Sequence, residues 1–285
     1  MNARMLSGEI VAKKLLTSLR PAIKKLNPKL VIVQVGSDAA STSYIKKKMQ
    51  SCRAVGMRSE HIHLAKSIKS DELSALIAKL NADDDVSGFI IQLPLPQPLQ
   101  KFQPELFRSI DPHKDVDGFT AYNLGKVFLS TEFEHLPPAT PAGIIALLEY
   151  YKIKIEGKHI VVVGHSNLVG KPLAVMLINR LATVTVCNHK TKSLALHTKQ
   201  ADILISAVGK PGLISVDMVK GGAVVIDVGL TKTKQGLRGD VDSGVKKIAS
   251  AMTPVTGGVG PMTVASLIRN CVRAKERQMN DRLTS

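Results

Sequence analysis

The chain has 285 residues, of which 44% are hydrophobic and 22% charged. This balance is typical of a folded protein and excludes a disordered chain, a collagen and a coiled-coil rod. At roughly 100–200 residues per domain, the length predicts two domains with a cleft between them. The formal net charge of +16 indicates anionic partners, which leaves phosphorylated cofactors, polyglutamate-like tails and nucleic acid open.

The cysteines and the apolar runs indicate the cellular compartment of the protein. Cys52, Cys187 and Cys271 lie far apart without a CxxC pair, which favours neither a disulfide framework nor a zinc cluster. The first 20 residues lack the uninterrupted apolar core of a secretory signal, and no run approaches the roughly 20 residues of a membrane span. We therefore expect a soluble, cytoplasmic protein without a metal and without a membrane partner.

Apolar runs rich in β-branched residues predict the strands. Segments with helical spacing separate them, which indicates an α/β fold. Because these runs are nearly continuous in hydrophobicity, we expect a parallel sheet covered on both faces. In chain order the predicted strands are Leu30–Val35, Phe89–Leu93, Ile160–Val163, Val184–Val186, Ile203–Ala207 and Val224–Val228.

Helices are predicted between the strands by apolar spacing and end signals. The first runs from about Ser41 to Ala54, and a second, from a Ser70 cap, carries an apolar stripe at Leu73, Leu76, Ile77 and Leu80. Prolines between 133 and 143 precede a helix at 144–151, so we place the domain boundary there. A long final helix, from Met262 to about Met279, is expected to pack back on the first domain.

Tyr44 and Lys48 share one face of the first predicted helix, because they are four residues apart. Lys46 and Lys47 are rotated away from that face. Lys48 either belongs to a solvated basic run or forms a proton-handling pair with the phenol, in which partial burial disfavours the ammonium form.

Polar residues at a strand end form the second candidate. The strand Phe89–Ile91 runs into Gln92 and then into prolines, so it must stop near Gln92. Open α/β sheets bind ligands at the carboxyl ends of their strands. Gln92 is therefore a ligand contact or, alternatively, a stray glutamine in an edge loop.

The segment DPHKDVDGF holds two acids, Asp115 and Asp117, which point the same way if the segment is extended. The pair could hold Mg²⁺, although such segments are usually plain turns. A single carboxylate that accepts two N–H groups from an amino-heterocycle is an equally good use.

A strand, turn and helix follow in the second half. Ile160–Val163 leads into Gly164 and Gly170, and the helix that begins there offers its N-terminus to a phosphate. The spacing differs from GxGxxG. The next strand ends at residues 187–190, CNHK, without the acid that binds the ribose of NAD, which favours NADP. Glycine-rich turns at 205–212, 226–230 and 253–263 would lie at the same carboxyl edge.

A chain of motifs resembles the bifunctional 5,10-methylenetetrahydrofolate dehydrogenase/cyclohydrolase family from about residue 6 to residue 275. The motifs are VGSDAASTSYIKKK, GFIIQLPLP, DPHKDVDGF, ATPAGI, VVVGHSNLVGKPLA, TVTVCNHKT, ADILISAVGKPG, GAVVIDVGL, GDV and TPVTGGVGPMT. The resemblance implies a catalytic α/β domain at 1–138, completed by the helix 262–285, and a Rossmann-like NADP domain at 139–261. It also implies a homodimer built mainly through the nucleotide domains, with the folate in the cleft.

The resemblance assigns roles to the catalytic-domain candidates. Lys48 matches the essential lysine, Tyr44 a stacking and orienting tyrosine, and Gln92 the glutamine that tunes the lysine. Asp117 matches the carboxylate that grips the pterin, with Ile91 and Leu93 beside the substrate.

The second domain receives its roles in the same way. The nucleotide turn corresponds to Gly164, His165 and Ser166, the 2′-phosphate neighbour to His189, and a backbone contact with the cofactor to Leu230. The loop that borders the folate is Gly257, Gly258, Val259 and Gly260.

The implied reaction transfers hydride from methylenetetrahydrofolate to NADP. Water then attacks the methenyl cation to give 10-formyltetrahydrofolate, with a neutral Lys48 as the hypothetical base. Three positions depart from the family pattern: His165 stands for an arginine, Ala139 for a cysteine and Thr256 for a proline. The first weakens the expectation of NADP over NAD, because histidine is only partly charged near neutral pH.

Other functions are weighed against this one. A family member with an altered balance of activities, or a two-domain NADP oxidoreductase acting on a carbonyl, stays open. Short-chain dehydrogenases also carry Tyr-x-x-x-Lys, but after the nucleotide turn and not before it. A nucleic-acid-binding module is disfavoured, because basic residues are dispersed, tryptophan is absent and aromatics make up only 4%.

Overall fold

The computed structural model describes residues 2–234 and 236–284, the last three by their backbone alone. Within this part of the chain the α-helices are α1 (Gly8–Leu26), α2 (Ala39–Val55), α3 (Ser70–Ala82), α4 (Gln97–Gln100), α5 (Gln103–Arg108), α6 (Ala121–Leu129), α7 (Ala139–Tyr150), α8 (Gly170–Ile178), α9 (Leu194–Thr198) and α10 (Val259–Thr284). The strands are β1 (Arg4–Met5), β2 (Lys29–Val35), β3 (Arg58–Leu64), β4 (Gly88–Ile91), β5 (His159–Val163), β6 (Thr183–Cys187), β7 (Ile203–Ser206), β8 (Val224–Asp227), β9 (Thr231–Thr233), β10 (Gly236–Arg238) and β11 (Ala251–Met252).

The chain folds into two compact units, which we name after their sheets. The six-stranded unit comprises Met1–Lys13, Val127–Phe133 and Thr140–Thr263. The three-stranded unit comprises Lys14–Lys126, Glu134–Ala139 and Val264–Ser285.

The three-stranded unit contains a parallel sheet in the order β3-β2-β4. Alternate residues of β2 enter two cores: Leu30 and Ile32 pack with α2 and α10, and Val31 and Val33 pack with α3. Both faces of the sheet are therefore covered, as the continuous apolar runs predict.

The six-stranded unit contains a sheet in the order β1-β11-β8-β7-β5-β6, in which all neighbours are parallel. After β5 the chain adds β6 on one side and β7 on the other. Such a reversal of strand order leaves a crevice at the carboxyl ends, where doubly wound folds bind ligands. The predicted α/β fold with mainly parallel sheets is confirmed.

Some element boundaries differ from the predictions. The helix α7 begins at Ala139 and not at residue 144, because a proline is tolerated in a first helical turn. The prediction of Ser70 as a cap is wrong: Ser70 is the first helical residue, and the Glu72 carboxylate accepts a hydrogen bond from the Lys69 N–H at 2.9 Å. Strand β3 escaped prediction because its sequence, RSEHIHL, is mostly polar.

None of the helices in the described ranges is long and apolar enough to cross a membrane.

Candidate active site

Helix α2 buries one lysine and exposes its two neighbours. The Asp38 carboxylate caps the helix by accepting the Ser41 N–H at 2.7 Å. The buried stripe of the helix is Ser41, Ile45, Lys48, Cys52 and Val55. Lys46 and Lys47 are exposed, as the helical spacing predicts. Lys48 therefore does not belong to the solvated face.

The Lys48 side chain is only 8% exposed, and its Nζ donates a hydrogen bond to Gln92 Oε1 at 3.0 Å. Burial lowers the pKa of this lysine, against the opposing influence of the Asp117 charge. An amine in this setting loses its proton more readily than a surface lysine does. Its lowered pKa is the direction that a general base requires.

Gln92 directly follows β4, and its N–H continues the sheet by donating to the Val33 carbonyl at 2.8 Å. Its Nε2 donates to the Leu93 carbonyl at 2.8 Å, so its Oε1 is the atom that faces Lys48. The same carbonyl accepts the Ser41 hydroxyl at 3.3 Å. The amide is thus fixed with its acceptor toward the amine, next to the buried Ile91 and the half-buried Leu93.

The two acids of the DPHKDVDGF segment have different neighbours. Asp115 is 2% exposed, and its carboxylate accepts hydrogen bonds from four donors. These are the N–H groups of Gly118, Phe119 and Thr120 and the Asn123 amide. Asp117 interacts electrostatically with Lys48, and burial raises its pKa while the Lys48 charge opposes that rise. Asp115 therefore shapes the turn, and Asp117 is the acid that shares the environment of the lysine.

Sequence reasoning did not single out Lys114, which also fixes this segment. Its side chain is 6% exposed, and its Nζ donates to the Leu80 and Asp83 carbonyls at 3.0 and 2.6 Å, at the end of α3. Its own carbonyl accepts the Phe89 N–H at 3.0 Å. In the sequence Lys114 is simply a lysine in a loop with an apolar residue nearby. That pattern is too common to predict a buried, structural lysine.

Tyr44 lies one turn before Lys48 on α2 and is 37% exposed. Partial burial raises the pKa of its phenol. The phenol therefore stays neutral and offers its ring and hydroxyl for stacking and hydrogen bonding.

The turn after β5 requires glycine for close packing. Gly164 has a φ of +120°, and a Cβ there would lie 2.4 Å from the Ala207 carbonyl oxygen. A Cβ on Gly170 would lie 2.0 Å from the Gly164 carbonyl oxygen. The Ser166 hydroxyl accepts the Val169 N–H at 3.1 Å. This turn therefore brings the start of α8 close to the crevice beside β5, where a helix N-terminus favours phosphate.

Two histidines lie together at the ends of β5 and β6. The rings of His165 and His189 have their centroids 5.7 Å apart and are exposed. The Asn188 side chain accepts the N–H of Lys190 at 2.8 Å. This donor set contains no carboxylate, so it suits an anionic 2′-phosphate better than a ribose hydroxyl.

The remaining predicted cofactor and folate contacts also lie in the six-stranded unit. Leu230 is half-buried after β8. In the loop before α10, the Gly257 carbonyl accepts the Glu9 N–H at 3.1 Å, and a Cβ on Gly258 would lie 2.3 Å from the Pro254 oxygen. Val259 is buried and begins α10, and Gly260 is exposed.

The structure thus assembles the predicted residues as two sets. Lys48, Gln92 and Asp117 interact within the three-stranded unit, and His165 with His189 within the six-stranded unit. Over the residues that the structure describes, no group of three or more His, Cys, Asp or Glu side chains could hold a metal ion.

Comparison with known proteins matches both units. The model of the tetrahydrofolate dehydrogenase/cyclohydrolase catalytic domain matches residues 6–117, and that of the NAD(P)-binding domain of the same family matches residues 138–279. The bifunctional protein FolD of Methanosarcina barkeri is 45% identical over 281 residues, covering 96% of each chain.

Solved structures agree with this match. The bifunctional FolD of Campylobacter jejuni has a TM-score of 0.91 at 41% identity, covering 96% of this chain and 99% of that chain. The Trypanosoma brucei dehydrogenase-cyclohydrolase, complexed with NADP cofactor and an inhibitor, has a TM-score of 0.92 at 31% identity, covering 98% and 99%. The chain belongs to the tetrahydrofolate dehydrogenase/cyclohydrolase family.

Proposed function

We propose that this chain oxidises 5,10-methylenetetrahydrofolate with NADP and hydrolyses the 5,10-methenyltetrahydrofolate that forms to 10-formyltetrahydrofolate. The observation that carries the proposal is the buried Lys48 amine, held by Gln92 and accompanied by Asp117. Such an amine suits a hydrolytic step that needs a base. Family membership supports both activities.

NADP, when bound, accepts the hydride. The residues present fit it: the glycine turn Gly164–Gly170 lets a pyrophosphate approach the backbone, and Ser166 lies within that turn. His165 and His189 would face the 2′-phosphate, and Leu230 would contact the cofactor through its backbone. Because a histidine attracts a phosphate less strongly than the always-charged arginine does, we expect preference for NADP and not strict exclusion of NAD.

Folate binding is assigned to two groups of residues. The Asp117 carboxylate accepts N–H groups from the pterin, as a carboxylate can from an amino-heterocycle. Tyr44 stacks on and orients the substrate beside Ile91 and Leu93. The loop of Gly257, Gly258, Val259 and Gly260 borders the same ligand. Hydride transfer needs alignment more than it needs proton transfer, so these residues act by positioning.

Hydrolysis follows from the state of Lys48. Water adds to the methenyl carbon while neutral Lys48 takes one proton from it, which leaves a hydroxyl on that carbon. The bond from the carbon to N5 then breaks as the hydroxyl loses its proton to solvent and becomes the formyl C=O, and N5 takes up the proton held by Lys48. Gln92 Oε1 accepts a hydrogen bond from either form of the amine, and more strongly from the ammonium form; it also orients the amine by holding one N–H and directing the lone pair elsewhere. Burial, and the cationic intermediate nearby, make the neutral form accessible.

Lys48→Met tests this assignment, with Lys46→Met as a control on the exposed side of the same helix. Purified protein is given methylenetetrahydrofolate and NADP, and NADPH and the methenyl species are followed separately by absorbance. We expect Lys48→Met to lose hydrolysis by roughly 10²–10⁴-fold, the usual contribution of a general base, while folate affinity is roughly retained. Hydrolysis at the rate of the Lys46→Met protein would remove Lys48 from this role.

We further infer a cytoplasmic homodimer that supplies 10-formyltetrahydrofolate to purine biosynthesis. Exposed apolar side chains at Ile178, Leu181 and Val186 support an interface at the edge strand β6 and the end of α8. The molar mass in solution tests the dimer. We infer that the functional domains are 1–138 with 262–285 for folate, and 139–261 for NADP.

A further inference from the structure

Two buried carboxylates outside the predicted site lie at the carboxyl edge of the larger sheet. Asp227 is 4% exposed and Asp240 is not exposed at all. A buried carboxylate is costly unless its oxygens are hydrogen-bonded, so each must be held by several donors. The donors come from the turns at this edge.

Asp227 holds the segment 239–241. It is the last residue of β8, and its Oδ1 accepts the Asp240 N–H at 3.0 Å while its Oδ2 accepts the Val241 N–H at 3.1 Å. Its own N–H donates to Thr253 Oγ1 at 2.8 Å. The segment is therefore anchored to the end of β8.

Asp240, within that segment, holds the turn that follows β7. Its Oδ2 accepts the Ser206 hydroxyl at 2.9 Å and the Val208 N–H at 2.8 Å. Its Oδ1 accepts the Lys210 N–H at 2.8 Å. One carboxylate thus fixes both ends of residues 207–210.

The surrounding glycines leave room for these carboxylates. A Cβ on Gly239 would lie 1.9 Å from Asp227 Oδ2, and a Cβ on Gly229 would lie 2.0 Å from Asp240 Oδ1. A side chain at either position would displace the carboxylate next to it. Gly229 lies in the turn after β8, directly before Leu230. Because it packs against Asp240, which holds the turn after β7, both turns depend on the position of the Asp240 carboxylate.

The turn that Asp240 fixes forms one wall of the crevice between β5 and β7. Its first residue, Ala207, packs against Gly164, the first residue of the turn on the other wall. The crevice opens where the strand order reverses, which is where this type of sheet binds a dinucleotide. A small shift of residues 207–210 would change the shape of that site.

We propose that Asp240, held in place by Asp227, is a positioning residue that sets the 207–210 wall of the dinucleotide crevice and thereby the placement of NADP. The inference rests on the proposed function for the identity of the cofactor. Asp240 acts through Val208 and Lys210, because both of its oxygens are occupied by donors of the protein.

Asp240→Asn tests the proposal, because an amide replaces one acceptor oxygen by a donor that faces an N–H group. Ser206→Ala is the milder variant: it removes one of the three donors and creates no opposing group. Asp202→Asn is the matched control, an acid that accepts hydrogen bonds from His159 N and Lys220 before β7, at the other end of the sheet. NADP affinity, dehydrogenase kcat and KM, hydrolysis of added methenyltetrahydrofolate and the thermal midpoint are measured for each.

We expect Asp240→Asn to weaken NADP binding about tenfold or more, because NADP would have to reorder a wall that has lost an internal hydrogen bond to a charged group, and to lower the dehydrogenase kcat. Ser206→Ala should weaken NADP binding and lower the dehydrogenase kcat as well, by a smaller factor. Hydrolysis, which needs no nicotinamide, and the control variant stay near wild type.

Two results would overturn the inference. One is wild-type NADP affinity and kcat in both Asp240→Asn and Ser206→Ala. The other is a parallel loss of both activities together with the thermal midpoint in Asp240→Asn, with Ser206→Ala unchanged, which would indicate a structural role only. Failure of the wild-type protein to bind NADP would count against the proposed function instead.

Discussion

Replacing Gln92 by glutamate changes the charge next to Lys48 with little change in shape. The acceptor oxygen lies 3.0 Å from Nζ, and the lysine is 8% exposed, so a carboxylate there acts on the amine at close range and with little solvent between them. The negative charge favours the ammonium form, which cannot take a proton from water. We expect Gln92→Glu to suppress hydrolysis near neutral pH and to restore it at higher pH.

The size of the effect follows from Coulomb's law at the observed distance. Two unit charges 3.0 Å apart attract by about 1.4 kcal/mol in the dielectric of water and by about 5.5 kcal/mol at an effective dielectric of about 20. Each 1.36 kcal/mol reduces the neutral fraction of the amine by about tenfold. Hydrolysis at neutral pH should therefore fall by at least about tenfold, while hydride transfer changes less, since it does not use the amine as a base.

The assay is the pH profile of methenyltetrahydrofolate hydrolysis for the wild type, Gln92→Glu and Gln92→Met. Methionine is similar in size to glutamine but removes the acceptor without adding charge, so its profile should move to lower pH as the glutamate profile moves to higher pH. Lys48→Met gives the rate without the amine. Profiles of both variants that move in the same direction, or that do not move, would refute the electrostatic argument.

Two further predictions concern the six-stranded unit. Burial and the neighbouring Asp240 raise the pKa of Asp227 from 3.8 to about 6. Between these two pH values the folded protein binds a proton at Asp227 that the unfolded chain has lost. The contribution of Asp227 to the free energy of unfolding therefore falls by up to about 3 kcal/mol as the pH rises from 3.8 to about 6, and it is constant above that pH. The free energy of unfolding, measured with urea at several pH values, should fall more steeply with pH in the wild type than in Asp227→Asn. An equal pH dependence of the two proteins would contradict the prediction. Replacing the exposed His165 by arginine, which is always charged, should raise the kcat/KM ratio of NADP over NAD, with Lys192→Arg as an exposed control; a ratio unchanged by His165→Arg would place the 2′-phosphate elsewhere.

Much of the fold could be predicted because several strands are apolar along most of their length. The strands β2, β5, β7 and β8 are predicted within one or two residues, since burial on both faces leaves a continuous hydrophobic run. Strand β3 could not be predicted, because it is an edge strand with polar side chains that are only partly buried. The pattern of hydrophobic residues predicts a strand where side chains are buried. It does not predict a strand that is held mainly by backbone hydrogen bonds.

The candidate site divides in the same way. Spacing alone separated Lys48 from the exposed Lys46 and Lys47, because a helix fixes which residues share a face, but it left open whether Lys48 is solvated or paired with Tyr44. The different surroundings of Asp115 and Asp117 did not follow, since they depend on a turn whose N–H groups converge on one acid. The interaction between Asp227 and Asp240 was equally hidden, because it depends on how the β9–β10 segment between the two acids returns residues 239–241 to the end of β8.

The buried stripe of α2 shows why the lysine is better explained by chemistry than by stability. Every other member of the stripe is apolar or small: Ser41, Ile45, Cys52 and Val55. A leucine or methionine at position 48 would complete that stripe and avoid the desolvation of an amine, whose hydrogen-bond acceptor among the described residues is the neutral Gln92 amide. The fold would therefore be more stable without Lys48, and Lys48→Met should unfold at a temperature equal to or above that of the wild type while it loses hydrolysis. If Lys48 destabilises the core and its removal abolishes hydrolysis alone, then its presence at this buried position is explained by hydrolysis.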